Sequence, residues 1–153
     1  FLASYLIWFL FLGLGIIWWV DGRKLKETTL HAIISALLAW GIGAFLKEVF
    51  DVSRPYLTNG KQPLTVIWPT DGAFPSTHTA AAMALAISVY LHNPKLGMVF
   101  LITSFLIGAA RVQANVHYPL DIAAGAVLGI GVAMAVDRLH VYGLINGRRK
   151  TPH

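Results

Sequence analysis

The sequence predicts an all-α protein, a polytopic transmembrane helical bundle that forms one domain over residues 1–153. The chain is 56% hydrophobic and 12% charged, whereas soluble domains are about 45–50% apolar and about 25% charged. The segment Phe1–Val20 contains no charged residue, and at about 1.5 Å per residue it can cross a hydrocarbon core of roughly 30 Å. The chain also has no cysteine, which excludes a small secreted domain held together by disulfides.

Phe1–Val20 is the first of five predicted spans. The other four follow in order at about Leu30–Phe50, Pro75–Leu91, Leu96–Asn115 and Leu120–His140. The charge-free stretches of the last two are shorter than the usual length of about 18 residues. Either these two are core helices of a soluble protein, or their polar ends reach a shared hydrated cavity. The chain begins with Phe rather than Met, from which we expect an upstream segment; one further helix there would make six spans.

The fifth span is rich in small residues. Gly125 and Gly129 are four positions apart, a spacing that lets two helices approach closely. We interpret this pair as a packing surface rather than a ligand site.

The basic residues predict the orientation of the bundle. If all five spans cross, eight of the twelve basic residues lie on one side, in segments 21–29, 92–95 and 138–150. The positive-inside rule assigns this side to the cytoplasm. The net charge of +5 therefore indicates membrane orientation rather than nucleic-acid binding. The remaining basic residues lie on the non-cytoplasmic side and are Lys47, Arg54, Lys61 and Arg111.

Two motifs on the non-cytoplasmic side combine cations with a helix start. Lys47 and Arg54 are about two helical turns apart, so they share a face if the helix persists that far. Pro55 disfavours helix at Arg54 and places it near the helix end. The stretch Pro75–His78 then opens the third span as a helix N-terminus, where free amides and the helix dipole attract an anion.

A third motif joins the fourth and fifth spans. Arg111 ends the fourth span, His117 follows in the connection, and Pro119 suits the first position of a helix with Asp121 in its first turn. Three cations, two histidines and one carboxylate then converge on one end of the bundle. Such a set predicts a site for a phosphoryl group.

Other interpretations of these residues remain open. The three cations could be anchors that reach lipid headgroups one at a time. A metal site built from His78, His117 and Asp121 is chemically possible, although neighbouring cations would repel the ion. We interpret as structural, or as part of the positive-inside patch, the residues His31, His92, His140, His153, Arg148, Arg149 and Lys150.

Taken together, the motifs resemble the three-part signature of the type-2 phosphatidic acid phosphatase superfamily of integral membrane lipid phosphatases. They read, in order, Lys47-x6-Arg54-Pro55, Pro75-Ser76-Thr77-His78 and Arg111-x5-His117-x3-Asp121. Ala110 stands where the family usually has Ser, and Thr77 stands where it usually has Gly. We expect these two departures to bear on substrate range and rate.

The resemblance implies a mechanism. His117 is then the nucleophile that forms a phosphohistidine, Asp121 orients it, and His78 acts as general acid and later as base. The phosphoryl oxygens are then bound by Lys47, Arg54, Ser76, Arg111 and the amides of Thr77 and His78. No metal and no cofactor are implied.

The resemblance also implies a lipid substrate. Our first choice is undecaprenyl diphosphate, with phosphatidylglycerophosphate or phosphatidic acid as rivals. Two further classes remain open: a non-catalytic binder or carrier of anionic lipids, and a metal-dependent hydrolase. We expect a multi-pass protein of the cell (inner or plasma) membrane whose partners are the bilayer and its lipid substrate, with the site on the non-cytoplasmic side. The sequence leaves the oligomeric state open.

Overall fold

The computed structural model describes residues 2–20 and 23–139. Within these residues the protein is helical and has no strand, so the predicted all-α class is confirmed. Six helices occur in this part of the chain: α1 (Leu2–Val20), α2 (Arg23–Phe50), α3 (Pro55–Asn59), α4 (Thr77–His92), α5 (Pro94–Gln113) and α6 (Pro119–Arg138).

The five long helices lie where the five spans were predicted, but α1 and the 16-residue α4 are not among the described segments that are long and apolar enough to cross a membrane. Three further details differ. α2 begins at Arg23 rather than near Leu30, because the polar segment before the apolar stretch is helical as well. α6 ends at Arg138, and His140, where we placed the end of the fifth span, lies outside the described residues. The short helix α3 was not predicted, since five residues carry no periodic pattern.

α4 lies at the centre of the bundle and packs against α2, α5 and α6. Most of its buried residues are alanine, serine or threonine, and such small side chains let neighbouring backbones come close. The larger apolar side chains Leu85 and Val89 pack in one core cluster with Leu14 of α1 and Ile107 of α5.

The contact between α4 and α6 depends on two glycines. A Cβ atom at Gly125 would lie 2.5 Å from the carbonyl oxygen of Ser76, and one at Gly129 would meet the backbone of Ala80 and Ala84. Since no side chain fits in that space, the predicted packing role of the two glycines is confirmed.

The outer surface of the bundle is apolar, which fits a bilayer environment. Three segments in the described part of the chain are long and apolar enough to cross a membrane, namely Lys26–Asn59, Pro94–Gln113 and Pro119–Arg138. Exposed apolar side chains on four of the helices include Trp8, Phe9, Leu12, Trp19, Leu37, Trp40, Phe45, Val99, Phe105 and Val127. The protein is therefore a multi-pass membrane protein.

The helix order sends all three motifs to one end of the bundle. α2 and α5 end there, while α4 and α6 begin there. Lys26, Lys95 and Arg138 lie near the opposite helix ends. The basic tail 148–150 and the side chains of residues 23–25 fall outside the described residues.

Candidate active site

Three cations are buried at the motif end of the bundle. Lys47 is 3% exposed, Arg54 2% and Arg111 5%. Burying an uncompensated charge costs several kcal/mol, about 3–5 when its partner is removed, so buried cations need negative partners. Because they are buried, the three cations do not act simply as anchors that contact lipid headgroups. The region between them is suited to binding an anion.

Lys47 and Arg54 meet through Asp71, a residue that the sequence did not single out. The Lys47 ammonium lies 3.1 Å from one carboxylate oxygen of Asp71, and the Arg54 guanidinium lies 2.6 Å from the other. Burial raises the pKa of this carboxyl, but the charge of Lys47 and hydrogen bonds from Arg54 and Lys47 outweigh that effect and lower it. Asp71 is therefore an anion whenever the two cations are charged.

The route by which Lys47 and Arg54 converge differs from the prediction of a shared helix face. α2 ends at Phe50, and Asp51 adopts a left-handed conformation with φ of 40°. Arg54 instead precedes the first residue of α3. The two cations are brought together by the loop around Asp71 rather than by helical periodicity.

Backbone carbonyls hold Arg54 in place. Its Nε donates to the carbonyl of Asp71 at 2.8 Å, and its Nη1 donates to that of Val116 at 2.8 Å. Its Nη2 donates to the carbonyl of Gly72 at 3.1 Å, and Lys47 donates to the same carbonyl oxygen. Arg54 thus has several acceptors that do not depend on the Asp71 carboxylate.

His117 lies between a carboxylate and two guanidinium groups. Its Nδ1 is 3.3 Å from an oxygen of Asp121, while its Nε2 is 3.4 Å from Nη1 of Arg54 and 3.5 Å from Nη2 of Arg111. A carboxylate can only accept, so Nδ1 carries the hydrogen and Nε2 carries a lone pair. This is the tautomer that a nucleophilic histidine needs.

The surroundings of His117 keep it neutral. Burial lowers its pKa most; the hydrogen bond to Asp121 raises it, and the charges of Arg111, Arg54 and Lys47 lower it again, so that it falls to about 4. Asp121 is fixed in turn, because the backbone amide of Tyr118 donates to it at 2.8 Å. As predicted, Pro119 begins α6 and Asp121 lies in its first turn.

Arg111 carries a further sign of an anion site. Its Nη1 donates to the carbonyl of Ala3 at 3.0 Å. Its Nε is buried and has no hydrogen-bond partner among the described residues. A buried donor without a partner is costly, and a bound anion would satisfy it.

The start of α4 faces the same region. Ser76 is the N-cap, and its hydroxyl oxygen accepts hydrogen bonds from the amide and the hydroxyl of Thr79. The Ser76 hydroxyl keeps its own hydrogen for a ligand, and the first amides of the helix, at Thr77 and His78, have no partner within it. The Ser76 amide donates to the Asp121 carbonyl at 3.0 Å and ties this helix start to α6.

His78 lines a pocket of about 330 Å³ together with Arg111. The rest of the wall comes from α1 and from the loop before α4: Ser4, Tyr5, Trp8, Val66, Ile67 and Pro69. Arg111 touches His117 on one side and this pocket on the other. The pocket therefore joins an apolar surface to His78 and to Arg111, the neighbour of His117.

All eight predicted site residues lie at this one end of the bundle, and Asp71 is the neighbour that sequence reasoning missed. The only available signal was its place in a Pro69–Gly72 turn just before the Pro75–His78 motif. The fourth non-cytoplasmic cation, Lys61, lies exposed in the same loop.

Metal ligation is possible elsewhere in the described residues. His31, His92 and Asp137 place one ligand atom each within 4.8 Å of one another at the opposite end of the bundle. His78, His117 and Asp121 form no such group in that part of the chain. His140 and His153 lie outside it.

Comparison with known proteins places the chain among membrane phosphatases. The family model of the PAP2 superfamily matches residues 28–143. The bacitracin transport permease protein BcrC of Bacillus licheniformis is 32% identical over 136 residues, which cover 89% of this chain and 67% of that protein. The undecaprenyl-diphosphatase BcrC of Bacillus subtilis is 28% identical over 130 residues, covering 85% and 67%.

The fold has a solved counterpart. The PAP2-type phosphatidylglycerolphosphate phosphatase of Bacillus subtilis aligns with a TM-score of 0.62 and 21% identity, over 96% of this chain and 70% of that one. At that identity the likeness concerns the fold alone. The family model and the sequence relatives show homology as well, and the chain therefore belongs to the PAP2 superfamily.

Proposed function

We propose that this membrane lipid phosphatase removes the terminal phosphate of undecaprenyl diphosphate through a phosphohistidine at His117. The observation that carries the proposal is the meeting of Arg54 and Arg111 at the Nε2 of a neutral, buried His117. An anion drawn to these cations has its phosphorus next to the nucleophile. The undecaprenyl-diphosphatase of B. subtilis, which is related over 85% of this chain, supports the choice of substrate.

In the first step, the lone pair on Nε2 of His117 attacks the terminal phosphorus. An N–P bond forms and the bond to the bridging oxygen breaks, so that the lipid leaves as its monophosphate. His78, at the wall of the pocket, donates a proton to the departing oxygen when that oxygen needs one. The positive charge that develops on His117 is stabilised by Asp121 at 3.3 Å.

In the second step, water breaks the N–P bond. His78 accepts a proton from the attacking water, inorganic phosphate forms, and His117 returns to its neutral state. Lys47, Arg54 and Arg111 stabilise the charge on the phosphoryl oxygens in both steps. Because these cations supply that stabilisation, we expect turnover without an added metal ion.

The pocket beside His78 suits the lipid part of the substrate. Its wall combines Tyr5 and Trp8 of α1 with Val66 and Ile67 of the loop. Both loop residues are exposed, Ile67 at 81%, as expected of a segment at a membrane interface. We place the site on the non-cytoplasmic side of the cell (inner or plasma) membrane, opposite the ends that carry Lys26, Lys95 and Arg138.

The deciding experiment measures phosphate release by detergent-solubilised protein in the presence of excess chelator. The panel holds undecaprenyl diphosphate, phosphatidylglycerophosphate and phosphatidic acid, with His117→Ala as control. We expect turnover to be fastest with the diphosphate, sensitive to vanadate and absent in the variant. Full activity in His117→Ala contradicts the nucleophile, and loss of activity with chelator contradicts the metal-free mechanism.

A carrier of anionic lipids is the second candidate; the B. licheniformis relative is named for transport, of bacitracin, rather than for hydrolysis. A carrier needs the cations but not a neutral histidine held by a carboxylate. Binding of the whole panel without release of phosphate would favour the carrier over the enzyme.

A further inference from the structure

The Asp71 carboxylate occupies the cation pair that the proposed function assigns to phosphate. One of its oxygens lies 3.1 Å from the Lys47 ammonium and the other 2.6 Å from the Arg54 guanidinium. A phosphoryl group also has two oxygens that can each contact one of the two cations. A ligand that uses both cations must therefore replace the carboxylate.

The cations do not need Asp71 to stay in position. Arg54 is held by the backbone carbonyls of Asp71, Gly72 and Val116, and Lys47 by that of Gly72. The Asp71 side chain, in contrast, is 56% exposed and comes from the loop before α4. The carboxylate can leave towards water while its two partners remain buried.

Charge decides which ligands replace Asp71. The terminal phosphate of a lipid carries close to two negative charges at neutral pH, whereas the phosphodiester of an ordinary phospholipid headgroup carries one. A singly charged headgroup gains about as much from the two cations as the carboxylate already does. A doubly charged terminal phosphate gains more, because Coulomb energy scales with charge.

We propose that Asp71 is a specificity-determining residue that competes for Lys47 and Arg54, excluding phosphodiester headgroups and admitting terminal phosphates. The identity of the admitted substrate rests on the proposed function; the competition itself does not. A site that faces a bilayer meets headgroup phosphodiesters in large excess over its substrate, and the internal carboxylate keeps them out of the site.

The test compares Asp71→Asn with wild type and with Glu48→Gln as a matched control. Asparagine keeps the shape of Asp71 and the backbone carbonyl that Arg54 uses. Glu48 is an exposed carboxylate on α2, next in sequence to Lys47, with no ion pair to Lys47 or Arg54 among the described residues. Glu48 lines the same cavity as Lys47 and Asp71, so its substitution removes a neighbouring charge of the same sign while both ion pairs of Asp71 stay intact.

Two quantities are measured in detergent micelles: calorimetric binding of methylenediphosphonate, a diphosphate that cannot be hydrolysed, and inhibition by added phosphatidylglycerol, a phosphodiester. We expect Asp71→Asn to bind methylenediphosphonate about three- to tenfold more tightly, the scale of losing one charged competitor. We also expect it to gain inhibition by phosphatidylglycerol, while Glu48→Gln resembles wild type in both.

Unchanged or weaker binding by Asp71→Asn overturns the inference, because Asp71 would then support the cations or do nothing. Equal tightening in Glu48→Gln overturns it as well, because the effect would be general electrostatics. If phosphatidylglycerol inhibits wild type as strongly as it inhibits Asp71→Asn, Asp71 does not exclude phosphodiesters and the proposed selectivity is overturned. Failure of wild type to bind methylenediphosphonate counts against the proposed function instead.

Discussion

At the scale of single residues, the tasks that we propose for His117 and His78 are separable. Both ring nitrogens of His117 have close neighbours. Nδ1 contacts Asp121, and Nε2 lies beside the guanidinium groups of Arg54 and Arg111. His78 instead borders the pocket that we propose for the leaving group and the attacking water. One histidine is thus placed to form a bond to phosphorus and the other to move protons.

The first prediction separates these tasks by trapping the intermediate. A lipid phosphate is a good leaving group without a proton, so His78→Ala should still be phosphorylated by the diphosphate but should lose the base that activates water. We expect a phosphoenzyme to accumulate in His78→Ala and turnover to fall by about 10²–10⁴. With substrate labelled in its terminal phosphate, protein-bound label should appear in His78→Ala and be absent from His117→Ala.

His92→Ala is the control, since this histidine lies at the opposite end of the bundle and should leave turnover as in wild type. Label retained by His117→Ala would show that another residue is the nucleophile.

The second prediction concerns the proton on His117. Its pKa is lowered to about 4 from an ordinary value of about 6.5, so Nε2 stays unprotonated at neutral pH and protonates only as the pH falls through about 4. We expect nitrogen NMR of histidine-labelled protein to show an unprotonated Nε2 from pH 7 down to about pH 5. A titration of His117 near pH 6.5 would contradict the burial and charge that the structure assigns to it.

At the scale of elements, the close contact between α4 and α6 holds the site together. Ser76 at the start of α4 donates its amide to the carbonyl of Asp121 in α6. Gly125 and Gly129 bring the two helices near enough for this bond, since a side chain at either would meet the α4 backbone. The packing of α4 on α6 and the geometry of the proposed site thus depend on the same interface.

The third prediction tests that interface with two alanine substitutions in one helix. At Gly129 the added Cβ would press on the backbone of Ala80 and Ala84, and overpacking of this kind costs about 1–3 kcal/mol. At Gly131 nothing lies within 4 Å of the added Cβ, and alanine favours a helix over glycine by about 0.5–1 kcal/mol. Thermal unfolding in detergent should show a lower Tm for Gly129→Ala and an equal or higher Tm for Gly131→Ala. Equal losses in both would mean that helix flexibility, rather than close contact, explains the glycines.

At the scale of the whole molecule, the bundle separates two kinds of positive charge. The motif end holds buried cations around His117, and the other end carries exposed Lys26 and Lys95. Among the described residues, Lys61 is the one exposed cation at the motif end, whereas Lys26, Lys95 and Arg138 are exposed at the other end, where a positive-inside signal would lie. This division supports a non-cytoplasmic active site.

The fourth prediction tests the orientation in cells. The chain has no cysteine, so a single cysteine can be placed at exposed Lys61 in the site-end loop or at exposed Lys95 in the first turn of α5. A membrane-impermeant maleimide should label Lys61→Cys in intact cells and Lys95→Cys only after permeabilisation. The reverse pattern would place the site in the cytoplasm.

Several features of the site were predictable because they depend on short stretches of sequence. A proline at a helix start indicates the beginning of α6, and Ser76 before an apolar stretch indicates the N-cap of α4. The start of α2 and the helix α3 were not predictable, since polar residues and very short helices carry no hydrophobic period. The shared helix face for Lys47 and Arg54 required the helix to persist as far as Arg54, and this condition is not met, because α2 ends at Phe50 and Asp51 is left-handed.

By itself, the sequence determined the all-α class, the apolar helices and the order of the three motifs, because composition, hydrophobic length and capping residues act locally along the chain. The tertiary structure alone decided that Asp71 bridges Lys47 and Arg54, and that Arg111 reaches the carbonyl of Ala3, 108 residues away. Such contacts join segments that are distant in sequence. They arise from the way the helices pack, and no local pattern encodes them.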